Sequence, residues 1–135
     1  MSLARPLFSA FGIEIEYMIV DRETLSVLPV ADKVLAAAAG KEGAADVDMG
    51  EITWSNELVA HVLELKVSNP APTLSGLSAA FAAHVAKVNA LLAPLGGCLM
   101  PTGAHPLMDP NTETVLWPHE CGEIYRAFDA VFNCK

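Results

Sequence analysis

Cationic side chains are scarce in this sequence: eight lysines and arginines stand against sixteen aspartates and glutamates, a formal net charge of −8. Phosphate backbones and anionic bilayers are held by clustered Lys and Arg. The chain has no such run, which argues against both nucleic acid and membrane as partners. Cysteine is scarce as well. Cys98, Cys121 and Cys134 are odd in number and form no C-x-x-C, against a disulfide framework or a zinc knuckle, and a reducing cytoplasm is the expected compartment. Long apolar runs are missing: no window holds the roughly 18 unbroken apolar residues of a membrane span. Arg5 and Pro6 interrupt the start before a signal-peptide core can form, and Met1-Ser2-Leu3 reads as an expression leader. There is no P-loop, no G-x-G-x-x-G and no G-x-S-x-G, and no cysteine stands where its pKa would be lowered. Nucleophilic catalysis is therefore poorly supported, and any nucleotide would have to be held through metal and sheet.

What remains is a 135-residue chain, 53% apolar but rich in alanine (36–39, 79–80, 82–83), long enough for one domain with a real core. Residues 8–20 alternate with a period of two: Phe11, Ile13, Ile15, Tyr17 and Ile19 form an apolar face, and Glu14 and Glu16 lie on the other. A turn at 21–24 and a returning strand at 25–30 would complete a hairpin. Residues 31–39 have helical composition, with Gly40 placed as C-cap. Residues 40–51 read as a loop and 52–67 as strands closed by Ser68-Asn69-Pro70. Over 74–92 the spacing of Leu74, Leu77, Phe81, Val85, Val88 and Leu92 predicts the clearest helix, capped by Thr73 or Ser75 and ended by Pro94 and Gly96-Gly97. A short strand at 98–101, a turn at 109–111 and a helix at 121–130 follow, and 131–135 begins another apolar stretch. The fold class is α+β, an antiparallel sheet with helices on one side.

Three groups of residues can carry chemistry. Glu14 and Glu16 in G-x-E-x-E point the same way from a strand, with Cα atoms roughly 6.5–7 Å apart. Like charges so close repel, and a divalent cation removes the conflict. Mg²⁺ favours one or two carboxylates plus substrate phosphates. The plain alternative is a strand whose solvent face is acidic. The second group is Glu57, His61 and Glu64. On a helix their spacing would put all three on one face, as in a carboxylate–histidine metal site. On a straight strand Glu64 faces away unless a bulge brings it round, and His61 is then a hydrogen-bonded, half-buried imidazole. Glu64 lies in VLELKV, and an acid in such apolar company needs a partner such as a cation. The third is His105 in Thr102-Gly103-Ala104-His105-Pro106, a loop that could meet a phosphate or a carboxylate, or simply be a solvated turn. His119-Glu120-Cys121 lacks a fourth ligand. His84 sits at the edge of the long helix and is given no role.

Taken in order, GIEIEYMIVD, NELVAHVLELKVSNP and PTGAHP resemble the type 2 glutamate–cysteine ligase family, the carboxylate–amine ligases, from about Phe11 to the end. The resemblance implies a glutamine synthetase-like catalytic architecture that binds ATP and Mg²⁺, with Mn²⁺ as a substitute. It also implies phosphorylation of a glutamate γ-carboxylate, followed by attack of an amine such as that of cysteine, a step toward glutathione. By the same resemblance Glu14 and Glu16 are metal- and cofactor-binding acids, Glu57 and Glu64 add metal or amino-acid contacts, and catalytic His105 shapes the site. The family's first motif has three consecutive acids where Ile15 stands here, and alternation turns Ile15 into the core. Members are several hundred residues long. The expectation is therefore that 1–10 are leader and lead-in, and that 11–135 are the N-terminal part of a catalytic domain, inactive alone. An open sheet edge would favour self-association. Two rival readings stay in view: a non-catalytic acidic module that binds a metal or a protein, and a hydrolase using Glu57, His61 and Glu64 on a helix.

Overall fold

The protein is described by a computed structural model over residues 5–102, 104–119 and 122–132. Glu120, Cys121 and Cys134 lie outside the described residues, so the H-E-C group at 119–121 is not placed as a unit. Among the described residues five strands, β1 (Glu14–Asp21), β2 (Asp46–Asp48), β3 (Ile52–Asn56), β4 (Val62–Val67) and β5 (Gly97–Met100), form one sheet of order β2-β3-β4-β1-β5. Every pairing is antiparallel. The helices are α1 (Ala31–Ala39), α2 (Leu77–Leu92), α3 (Pro110–Glu113) and α4 (Gly122–Phe132). The fold is α+β.

The pleat sorts the sheet into two faces. Ile19, Ile52, Trp54, Leu63 and Leu65 pack with Val34 and Leu35 of α1 and with Leu77, Phe81, Val88 and Leu92 of α2. The α2 residues recur every three or four positions, as an amphipathic helix requires, and each fully buried side chain contributes about 1.5–3 kcal/mol. Leu77–Leu95 has the length and apolar composition of a membrane span, but its buried stripe serves this core. Gly97 is the closest approach. A Cβ there would lie 2.9 Å from Leu28 Cδ2 and 3.3 Å from Leu92 Cδ2, so a larger residue would have to push these two leucine side chains aside.

Several boundaries differ from the sequence pattern, each for a local reason. The first strand begins at Glu14, and residue 11 makes only an isolated bridge to Ala71. Residues 25–30 do not form a strand: Leu25 has φ 59° and Pro29 lacks a donor, leaving one bridge, Val20 to Val27. Asp21 closes the turn before them by accepting hydrogen bonds from the amides of Glu23 and Thr24. Residues 46–48, read as loop, are the short edge strand β2, whose three residues are too few for a period to show. Helix α2 starts at Leu77 after Gly76 at φ 87°, with no side-chain cap; Thr73 Oγ1 instead accepts from the Ser75 amide. Residues 110–113 are a helical turn capped by Asp109, not a plain turn, and Val131 and Phe132 belong to α4. Gly40 does end α1, at φ 69°. Ile15 lies opposite Leu65 on the core face but at its margin, 37% exposed.

Candidate metal centre

The sheet face away from α1 and α2 carries the acids, and strand register sets their order. Glu16 pairs with Glu64, Glu64 with Ser55 and Ser55 with Asp46, one row of side chains across β1, β4, β3 and β2. Directly paired residues hold their Cβ atoms roughly 4.5–5.5 Å apart. Residues 57–61 join β3 to β4 and bring Glu57 over the row. One carboxylate oxygen from each of Glu16, Glu57 and Glu64 lies within 4.8 Å of the others. Glu14 is exposed, one row further along opposite Lys66, and is not a member of this group.

Glu64 is 8% exposed and would be costly without partners. Its Oε1 accepts from Ser55 Oγ at 2.8 Å and from Lys66 Nζ at 3.0 Å. The Lys66 ammonium also stands 3.4 Å from Asp46 Oδ1. Burial pulls that ammonium toward losing its proton, but the bond and charge of Glu64, with Asp46, outweigh burial and hold its pKa above the ordinary lysine value. Glu57 goes the other way for a carboxylate: burial, then the charges of Glu16 and Glu64, raise its pKa. A carboxylate with a raised pKa where carboxylates converge beside a cavity marks a candidate functional site. The donors are all hard oxygens, which fit Mg²⁺ or Mn²⁺ and not a soft metal.

A cavity of about 460 Å³ opens beside the acids, lined among others by Glu16, Glu57, His61, His105, Met18 and Met108. His105 is pinned at both nitrogens. Nδ1 accepts from the Leu107 amide at 3.1 Å, so Nε2 carries the proton and donates to the Leu25 carbonyl at 2.7 Å. The ring thus ties the cavity wall to the turn after β1. His61 is 3% exposed, and its buried Nδ1 has no hydrogen-bond partner among the described residues. It stands at the turn before β4 and not on a helix, so a helical Glu57–His61–Glu64 site does not exist here: Glu57 and Glu64 meet through a hairpin, and His61 borders the cavity instead. Sequence reasoning missed Ser55, Lys66 and Asp46, although the alternation in 52–56 and the E-x-K spacing in β4 carried the signal. It also missed His84, which is 6% exposed and accepts at Nδ1 from Trp54 Nε1 at 2.9 Å.

Burial depresses the pKa of both His61 and His84. For a depressed group, stability is complete above the unfolded-state value, about 6.5, and falls as pH drops below it, because the unfolded chain takes the proton first. Thermal unfolding between pH 7.5 and 5 should show Tm decreasing through that window, and less steeply in His84→Gln. A flat profile in the parent protein would refute this account.

An open antiparallel sheet with α1 and α2 on one face and convergent carboxylates beside a cavity on the other defines a scaffold able to hold a divalent cation beside a small ligand. The chain matches the sequence model of glutamate-cysteine ligase family 2 over residues 10–133 and belongs to that family. It is also 31% identical over 125 residues to an uncharacterized protein of Archaeoglobus fulgidus, a match covering 92% of this chain and 33% of the relative. The chain thus spans about a third of the length of that relative.

Proposed function

We propose that this chain contributes the first metal-binding strands of an ATP-dependent carboxylate–amine ligase, which joins the γ-carboxylate of glutamate to an amine. The observation that carries the reading is the convergence of Glu16, Glu57 and Glu64, of which Glu16 and Glu57 also line the cavity. Phosphoryl transfer asks a protein chiefly for positioning and charge neutralisation. Mg²⁺ bound there would offset the charge of the transferred phosphoryl group and of the acyl phosphate it makes. Glu16, Glu57 and Glu64 hold the cation, and Glu14, one row on, faces the same side for a further cation or the nucleotide. His105, with both nitrogens committed to backbone, fixes the cavity wall. His61 borders the same cavity and lends it a neutral, buried imidazole edge. The rest of the ATP site would come from outside residues 1–135, so the chain alone is expected to be inactive.

The test uses the complete reading frame in which this sequence occurs, assayed for ADP release and amide formation with glutamate, Mg²⁺ and a panel of amines. Absence of both products with every amine would sink the proposal, and protein binding without Mg²⁺–nucleotide binding would favour a non-catalytic module. A second result is expected from the raised pKa of Glu57. Cation binding needs the ionised form, so Mg²⁺ affinity should fall as pH is lowered toward and below the raised value, and Glu57→Gln should remove that dependence. In the metal-free protein the same substitution relieves repulsion and should raise Tm by about 1–3 °C. Calorimetric titrations at several pH values and a melting curve check both.

A further inference from the structure

The sheet face that presents the acids also carries their own cation, one row away. Lys66 leaves β4 on the same face as Glu64, two residues away, and its ammonium reaches Glu64 Oε1 at 3.0 Å and Asp46 Oδ1 at 3.4 Å. Of these partners, Glu64 belongs to the carboxylate group and Asp46, on edge strand β2, does not. A divalent ion among Glu16, Glu57 and Glu64 would therefore sit within a few ångströms of a fixed positive charge. At that range the two cations repel each other even at a protein-like effective dielectric constant. The ammonium has somewhere to go. Asp46 is already within ion-pair distance, two-thirds exposed, and a lysine stem has enough rotatable bonds to swing there.

We infer that Lys66 is an exchangeable counter-ion, which holds Glu64 in the metal-free protein and transfers to Asp46 when a divalent cation binds. The inference rests on the metal reading above, and it assigns Lys66 a positioning role. It explains how a carboxylate so deeply buried is paired and aimed before its metal arrives. It also makes the metal affinity a difference between two cations competing for one acid, set as much by Asp46 as by the ligands.

The experiment is calorimetric titration with Mg²⁺ and Mn²⁺ at pH 7.5 of the parent protein, Lys66→Met, Lys66→Arg and Asp46→Asn. It is paired with NMR observation of the Lys66 side chain in the parent during the Mg²⁺ titration. Lys66→Met should bind the cation about tenfold more tightly, Lys66→Arg within about twofold of the parent, and Asp46→Asn about two- to threefold more weakly, its exposed pair being worth little. The Lys66 resonances should shift and saturate at the calorimetric Kd, a readout that does not depend on any variant folding. Cation binding by the parent with Lys66→Met unchanged or weaker, or with Lys66 resonances that do not move, overturns the exchange and leaves the metal reading standing. No cation binding by the parent overturns both.

Discussion

Glu64→Gln is expected to weaken binding of the first divalent cation by about 100-fold or more, since a cation of this class is held almost wholly by charged oxygens. Of the three convergent acids, Glu64 is the buried one, its oxygen fixed by Ser55 and Lys66, so neither solvent nor a neighbour can take its place. Glu14→Gln is the control. It removes the same charge from the same face one row away, outside the cluster, and should change the first binding event by less than about threefold. Calorimetry with Mn²⁺ compares the two. Equal losses would mean that the cation is held by general negative potential and not by this constellation.

The largest stability effect should come from Trp54. It is 1% exposed at the centre of β3, packs edge-on against His84 with ring centroids 5.9 Å apart, and donates to His84 Nδ1. Trp54→Ala loses about 3–5 kcal/mol, a large part of the 5–15 kcal/mol that a domain of this kind has. Trp54→Phe keeps most of the ring but strands a buried imidazole acceptor, for about 1–3 kcal/mol. If the hydrogen bond is the cause, His84→Leu in the Trp54→Phe background should cost less than in the parent, which a double-mutant cycle from urea unfolding resolves. Additive losses would remove the bond from the account and leave packing alone.

Much of this was legible in the chain because it depends on period and punctuation. Ala31–Ala39 with Gly40 behind it, the apolar stripe of α2, and the alternation that puts Glu14 and Glu16 on one face are local facts, and the structure keeps them. The convergence of Glu57 with Glu64 was not legible, since both helix and bulged strand could be written for 57–67. Only the hairpin between β3 and β4 decides it. His84 escaped because a histidine beside a core valine looks like a helix edge, while its burial depends on Trp54, thirty residues earlier. Lys66 and Asp46 escaped for the same reason: each is an ordinary surface residue until the register sets them together. In each case the missing information was a pairing across the sheet.

That dependence on pairing says how such a site can change. Its acids are addressed by strand register, so a single-residue deletion in β4 before Glu64 would turn the carboxylate toward the helices while leaving the composition of the strand almost untouched. A two-residue slip would keep Glu64 on the proper face but carry it past Ser55 and Glu16 into the row of Thr53 and Glu14. Insertions in residues 57–61, by contrast, lengthen a connection and leave the row in place. Variation in what this sheet binds is therefore cheapest in the loops above it, and the row beneath is where the chain tolerates no change of length.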